Sequence, residues 1–216
     1  MNPSTSKFGK AAAALALTGM AALGVAACGS SSDSPKKLTA IAHVPALTGK
    51  STAIKLDAGF VKALGSLKLT PGVLGTAQLT NGSLIFPITG GNVSYFKPGT
   101  VSPYVIGQIQ HEGSGLSLTA GSTTVQLTNF NVDPGESRVY GDVAVNGKTA
   151  VSDAYLFTLN GNTLQPLKSE GSTAILTGTK VFISPVAAGL LDKTFGTTAV
   201  TGDLLVGVAT ITVNVG

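Results

Sequence analysis

The chain predicts an all-β fold, an antiparallel β-sandwich or flattened barrel carrying one or two short helices, and three observations support this. Turn signals of the Asn-Gly type recur at Asn81-Gly82, Asn146-Gly147 and Asn160-Gly161, between short apolar runs. Several of those runs alternate strictly, as in Leu116-Ser117-Leu118-Thr119, which is the period of a half-buried strand. The body is rich in Thr, Val, Leu and Gly and has no tryptophan, a composition that suits pleated strands better than charged helical surfaces.

Taken in order, Thr52 to Leu56 alternates as a strand. Asp57 then stands where its carboxylate can cap a helix running to about Leu64, with Phe60, Val61 and Leu64 inward and Lys62 outward. Gly65 is expected to stop it. Leu67 to Thr70, before Pro71-Gly72, and Gly75 to Thr80 read as strands. Asn81-Gly82 turns the chain into Leu84 to Ile88, where Pro87 marks an edge or a bulge. Gly90-Gly91 reads as another turn.

Val101 to His111 is a long strand with Val105, Gly107, Ile109 and His111 on one side and Tyr104, Ile106, Gln108 and Gln110 on the other. Gly113-Ser114-Gly115 reads as a turn into Leu116. Within Thr124 to Val132 the apolar phase switches from Val125 and Leu127 to Phe130 and Val132, which predicts a bulge near Asn129. Asp133-Pro134-Gly135-Glu136 is a turn, followed by strands Val139 to Val145 and Ala154 to Leu159.

Thr179 to Ser184 is a strand that leads into a second helix, because Ser184 can cap and Pro185 suits the first helical position. That helix is expected to end near Leu191, with Gly207 to Ile211 as a strand behind it. The two strand–helix passages echo each other and are expected to pack together at one end of the fold.

Residues 38–216 form one domain's worth of chain. Ahead of them, Lys7 and Lys10 flank the apolar run Ala11 to Ala27, the layout of a secretory signal over residues 1–27. The run is short for a membrane span and is broken by Thr18 and Gly19. Its exit, Val25-Ala26-Ala27-Cys28, resembles the lipobox of bacterial lipoproteins. The resemblance implies cleavage before Cys28, a diacylglycerol on its sulfur, and acylation (palmitate, for example) of the new amino terminus.

One acyl chain holds a protein only marginally on a bilayer, so stable anchoring takes more than one. Cys28 is the sole cysteine, which excludes an internal disulfide. Residues 28–37, Gly/Ser-rich and closed by Pro35-Lys36-Lys37, read as a flexible tether. The expected location is the cell envelope, at the outer membrane or the outer face of the cytoplasmic membrane, with the bilayer as the partner of acylated Cys28.

The net charge of +4 does not point to nucleic acid. From Leu38 onward ten Lys and Arg stand against nine Asp and Glu, scattered singly, so no basic stripe tracks a phosphate backbone. No catalytic motif is present: His111-Glu112 lacks the second histidine of a zinc-protease helix, and no Gly-x-Ser-x-Gly elbow occurs. No catalytic residue or metal ligand is therefore assigned; Asp133 and Glu136 read as a solvated turn. His111 reads as a hydrogen-bonded structural histidine. Tyr95, Phe96 and Tyr104, around Lys97-Pro98-Gly99, either close the end of the core or form an aromatic binding loop.

Phe86-Pro-Ile-Thr-Gly-Gly91, Gly107 through Leu118, Leu127-Thr-Asn-Phe130 and Gly141-Asp-Val-Ala-Val145 together resemble the HtaA-type surface domain, over about Leu84 to Val145. The resemblance implies haem uptake at a bacterial surface. The tryptophan expected near such a domain's start is missing. The family's ligand tyrosine matches none of Tyr95, Tyr104, Tyr140 or Tyr155 in particular. Were haem bound, His111 would be the first candidate for its iron, with Tyr95 and Tyr104 as the accompanying site residues.

The expected function is thus a membrane-anchored envelope lipoprotein whose body binds or builds without catalysis and without a resident cofactor. Haem or small-ligand capture is the alternative, and an envelope hydrolase a more distant third.

Overall fold

In the computed structural model, residues 38–215 are described; the expected signal, Cys28 and the expected tether up to Lys37 lie outside the described residues. Thirteen strands and two helices follow one another. The first half contains β1 (Ala42–Val44), β2 (Ser51–Leu56), α1 (Ala58–Ser66), β3 (Thr70–Gly75), β4 (Gln78–Thr80), β5 (Ser83–Pro87), β6 (Gly90–Tyr95) and β7 (Val105–Ala120). The second half contains β8 (Thr123–Asp133), β9 (Arg138–Val145), β10 (Lys148–Asn160), β11 (Lys168–Glu170), β12 (Thr173–Ile183), α2 (Pro185–Phe195) and β13 (Leu205–Asn214).

All ladders between these strands are antiparallel, and they make one sheet in the order β1-β6-β7-β8-β9-β10-β12-β13-β2-β5-β4. β3 adds to β7 and β11 to β12. The sheet curls into a flattened half-barrel, in keeping with the all-β expectation. β5 and β6 are consecutive along the chain yet lie toward opposite ends of the strand order. The corner at Ile88 and Thr89 therefore ties those ends together, through Ile88 N–H to the Lys50 carbonyl and Thr89 N–H to the Gln110 carbonyl.

Local chemistry sets the turns. Asn81 and Gly82 take φ of 50° and 69°, and Asn146 and Gly147 take 51° and 77°, the left-handed pair that a two-residue hairpin needs. Asn129 also has positive φ, where the β7–β8 and β8–β9 registers slip, so the bulge stands where the apolar phase switches. Asp57 caps α1, its Oδ1 accepting from Gly59 N at 2.8 Å. Ser184 caps α2, its Oγ accepting from Ala187 N at 3.0 Å. β2 and β12 both run antiparallel to β13, hence parallel to each other, and each feeds a helix from its C-terminal end. Both helices consequently leave at the same end of the sheet.

Several segments differ from the sequence expectation. Pro71-Gly72 does not break a strand but lies inside β3, which pairs only with β7; an edge position tolerates the missing proline N–H. Leu67–Lys68 belong to the helix exit, and Gly75 ends β3 before a turn at Thr76 and Ala77, leaving β4 only Gln78–Thr80. Gly90-Gly91 begins β6 rather than turning the chain. Gly113-Ser114-Gly115 is a bulge inside the 16-residue β7, not a turn, and it lets one long strand pair first with β6 and then with β3. On α1, Leu64 is buried and Phe60 packs against the core, whereas Val61 is 52% exposed. A nine-residue helix buries the Phe60–Leu64 line one turn apart, and Val61 falls off its edge.

Candidate functional site

The inward face of the half-barrel is not filled. A cavity of about 340 Å³ is lined by aliphatic and aromatic side chains from β2, β5 to β10, β12 and β13. Phe86, Phe130 and Phe157 form an edge-to-face chain along it, with centroid distances of 5.2 and 6.1 Å. Large inward residues, among them Leu159, Leu176 and Ile211, are only half-buried, because the space in front of them is open to solvent. No lining residue is Asp, Glu, Lys or Arg.

All three residues singled out in the sequence line this cavity, at different depths. Tyr95 ends β6 and Tyr104 immediately precedes β7, at the end of the sheet opposite the helices. Their rings meet edge to face at 5.7 Å, so the aromatic loop neither simply closes the core nor stands free of it. Ser102, Ser137 and Asn162 share this mouth. Burial, and then the neighbouring Tyr95 phenol, push the Tyr104 hydroxyl above the usual tyrosine range, so it stays neutral at pH 7.

His111 shares the inward face of β7 with Val105, which pairs with Tyr95. Six residues separate Val105 from His111, about 20 Å along a strand. At the usual barrel tilt this is a depth of about 15 Å. His111 is 1% exposed. Its Nδ1 lies 2.9 Å from the Pro87 carbonyl, and since a carbonyl only accepts, Nδ1 carries the proton. Nε2 is then the lone-pair nitrogen, accepting from the Thr52 hydroxyl at 3.1 Å. Burial lowers its pKa, against the smaller opposing pull of the Pro87 and Phe86 carbonyls, so the ring is neutral at pH 7.

The sequence reading did not foresee Thr52 as a site residue. Its place inside an alternating strand marks it as a polar residue on an apolar face, the one signal available. The Arg138, Tyr140 and Tyr155 cluster lies on the other face, with Arg138 4.7 Å over the Tyr155 ring. Tyr140 and Tyr155 therefore do not join the cavity.

The geometry defines a β-domain with an uncharged, apolar interior that opens at a tyrosine-framed mouth. Among solved structures it is similar to the C-terminal domain of HtaA from Corynebacterium glutamicum, with a TM-score of 0.55 and 15% identity over 79% of this chain and 99% of that domain. The N-terminal domain of the same protein aligns with a TM-score of 0.48 and 10% identity, over 79% of this chain and 98% of that one. At such identity the first likeness is one of fold, and the chain has an HtaA-like fold in that sense. No family model matches the chain. No curated protein matches it either.

Proposed function

We propose that the chain is an exported envelope lipoprotein, acylated at Cys28, whose body is a non-enzymatic binding module that takes its ligand into the interior of the half-barrel. The observation that carries this is the cavity itself. Ligand sites are concave, mostly apolar and about 300–1,000 Å³, with a few polar groups that fix orientation. Here those groups are at the mouth, with the tyrosine pair, while His111 and Thr52 are hydrogen-bonded to each other deeper in the cavity. His111 is the one imidazole among the lining side chains. Its Nδ1 is held by the Pro87 carbonyl rather than by a carboxylate, so the His111–Thr52 pair has no acidic third member, which supports binding over hydrolysis.

A second reading, haem capture, is supported by the donor set at the mouth. Phenolate oxygens suit haem iron, and Tyr95 and Tyr104 are the phenols that line the cavity, although the burial that keeps Tyr104 neutral works against its ionisation. They fit the group better than His111, whose two ring nitrogens are both engaged inside the fold. Tyr95 or Tyr104 would hold the iron. With no lining cation, the carboxylates of haem would have to face water. Haem, if bound, would supply a Lewis-acidic iron that takes an oxygen donor, while this chain's own residues would bind it, orient it and exclude water.

Titration of the purified chain with an apolar fluorophore and with haemin tests both readings. A saturable signal with the fluorophore supports the cavity. A Soret shift lost in Tyr95→Phe or Tyr104→Phe supports haem, and no saturable signal from either ligand removes the binding function.

A further inference from the structure

Resting on that reading of the cavity, we infer that the ligand is the hydrocarbon tail of a single-chain lipid with an uncharged headgroup. The tail enters beside the Tyr95–Tyr104 pair and ends against Phe86 and His111.

Three observations carry this. First, the cavity is deep: its depth of about 15 Å from the tyrosines to His111 suits a chain better than a compact ring. Second, its 340 Å³ holds roughly eleven groups of water or methylene size at about 30 Å³ each, which corresponds to a tail of about ten to twelve carbons. Third, no lining side chain is charged, and the floor's polar groups satisfy one another through Thr52, His111 and the Pro87 carbonyl. A polar headgroup driven to that floor would find no free partner, whereas a methyl end needs none. At the mouth, by contrast, Ser102, Ser137, Asn162 and the two phenols offer neutral hydrogen-bonding groups. Neutral donors and acceptors suit a hydroxyl or ester head, and no cation lines the mouth to hold a carboxylate or phosphate.

The test uses the full chain carrying Cys28→Ser and freed of detergent, with a series of monoacylglycerols from six to sixteen carbons displacing the neutral probe N-phenyl-1-naphthylamine. Each added methylene is expected to tighten binding about fourfold up to ten or twelve carbons, after which the gain stops. The chain has no tryptophan, so Leu167→Trp places a lone reporter at the mouth. Its emission should be quenched by a monoacylglycerol brominated near the head and spared by one brominated at the tail end. Circular dichroism of that variant checks that it folds, and the unsubstituted tryptophan-free chain supplies the displacement data independently.

Affinity independent of chain length, or quenching by the tail-end bromine, would overturn the inference. Should haemin or the naphthylamine bind saturably while no monoacylglycerol displaces it, the cavity remains a binding site and the lipid assignment fails. If nothing binds, both fail together.

Discussion

His111 and Thr52, 59 residues apart in sequence, meet at 3.1 Å inside the half-barrel, with the Thr52 hydroxyl donating to Nε2 while Nδ1–H donates to Pro87. Three segments, β7, β2 and the end of β5, are thereby joined where the two ends of the strand order approach each other. This ties the wall of the cavity to a single neutral imidazole.

Acid should weaken the fold through that ring. Burial lowers the folded pKa of His111 below its unfolded value of about 6.5. The unfolded state therefore binds more protons as the pH falls. The contribution is fully present above the unfolded pKa and is lost as the pH drops from there toward the folded one. Phe86 packs against the ring, and the adjacent Glu112 is exposed, so His111 is the titrating group. The urea midpoint should fall between pH 7.5 and pH 5. In His111→Gln the part of that fall due to His111 should vanish; an unchanged pH dependence in this variant would contradict the assignment.

Removing the donor tests the other half of the pair. Thr52→Val keeps the shape and leaves Nε2 buried without a partner, a cost of about 1–3 kcal/mol. Thr52→Ser, which retains the hydroxyl, should lose less. Equilibrium urea unfolding of the two variants against the parent measures the difference.

Ser184 is fully buried, accepts from Ala187 N, and donates to the Tyr155 carbonyl at 2.6 Å. Ser184→Ala deletes the cap of α2 and orphans a carbonyl, so a loss of about 1–2 kcal/mol is expected. That corresponds to a fall of about 2–8 °C in the thermal midpoint for a chain of this size. A midpoint within 1 °C of the parent would show that α2 is capped by other means.

Gly107 lies on the cavity face of β7 with φ of 136°, and a Cβ there would collide with the Asn92 carbonyl on β6. Gly107→Ala should therefore cost about 1–3 kcal/mol in backbone strain. It should also disturb the β6–β7 pairing behind Tyr95. Hydrogen exchange of the Val93 and Tyr95 amides, faster in the variant, is the expected readout.

Cys28→Ser tests the anchor. The parent is expected to sediment with membranes and to carry fatty acid at its amino terminus by mass spectrometry. The variant should lose both properties, since stable attachment takes more than one acyl chain. Equal fractionation of the two would remove the lipid anchor from the proposed function.

Much of the local structure was legible in the residues because its causes are local. Asn81-Gly82 and Asn146-Gly147 need only their own φ values to turn a hairpin, whereas Asn160, with φ of −110°, instead caps a short 3-10 turn over Gly161–Thr163; Asp57 and Ser184 need only the next three amides to cap a helix. The switch of apolar phase beside Asn129 marked a bulge for the same reason. Gly113-Ser114-Gly115 and Gly90-Gly91 were misleading because a glycine with positive φ serves a turn and a strand bulge alike. Only the neighbouring strand distinguishes them, and that neighbour lies far along the chain.

By itself, then, the sequence determined the strand-rich class, the caps, the hairpins and the near-neutral body. Tertiary structure decided the closure through Ile88 and Thr89, the depth between Tyr95 and His111, and the pairing of His111 with Thr52. Those depend on the register and curl of the whole sheet, where shifting one strand by a single residue would turn its inward side chains outward. No short stretch of sequence carries that information alone.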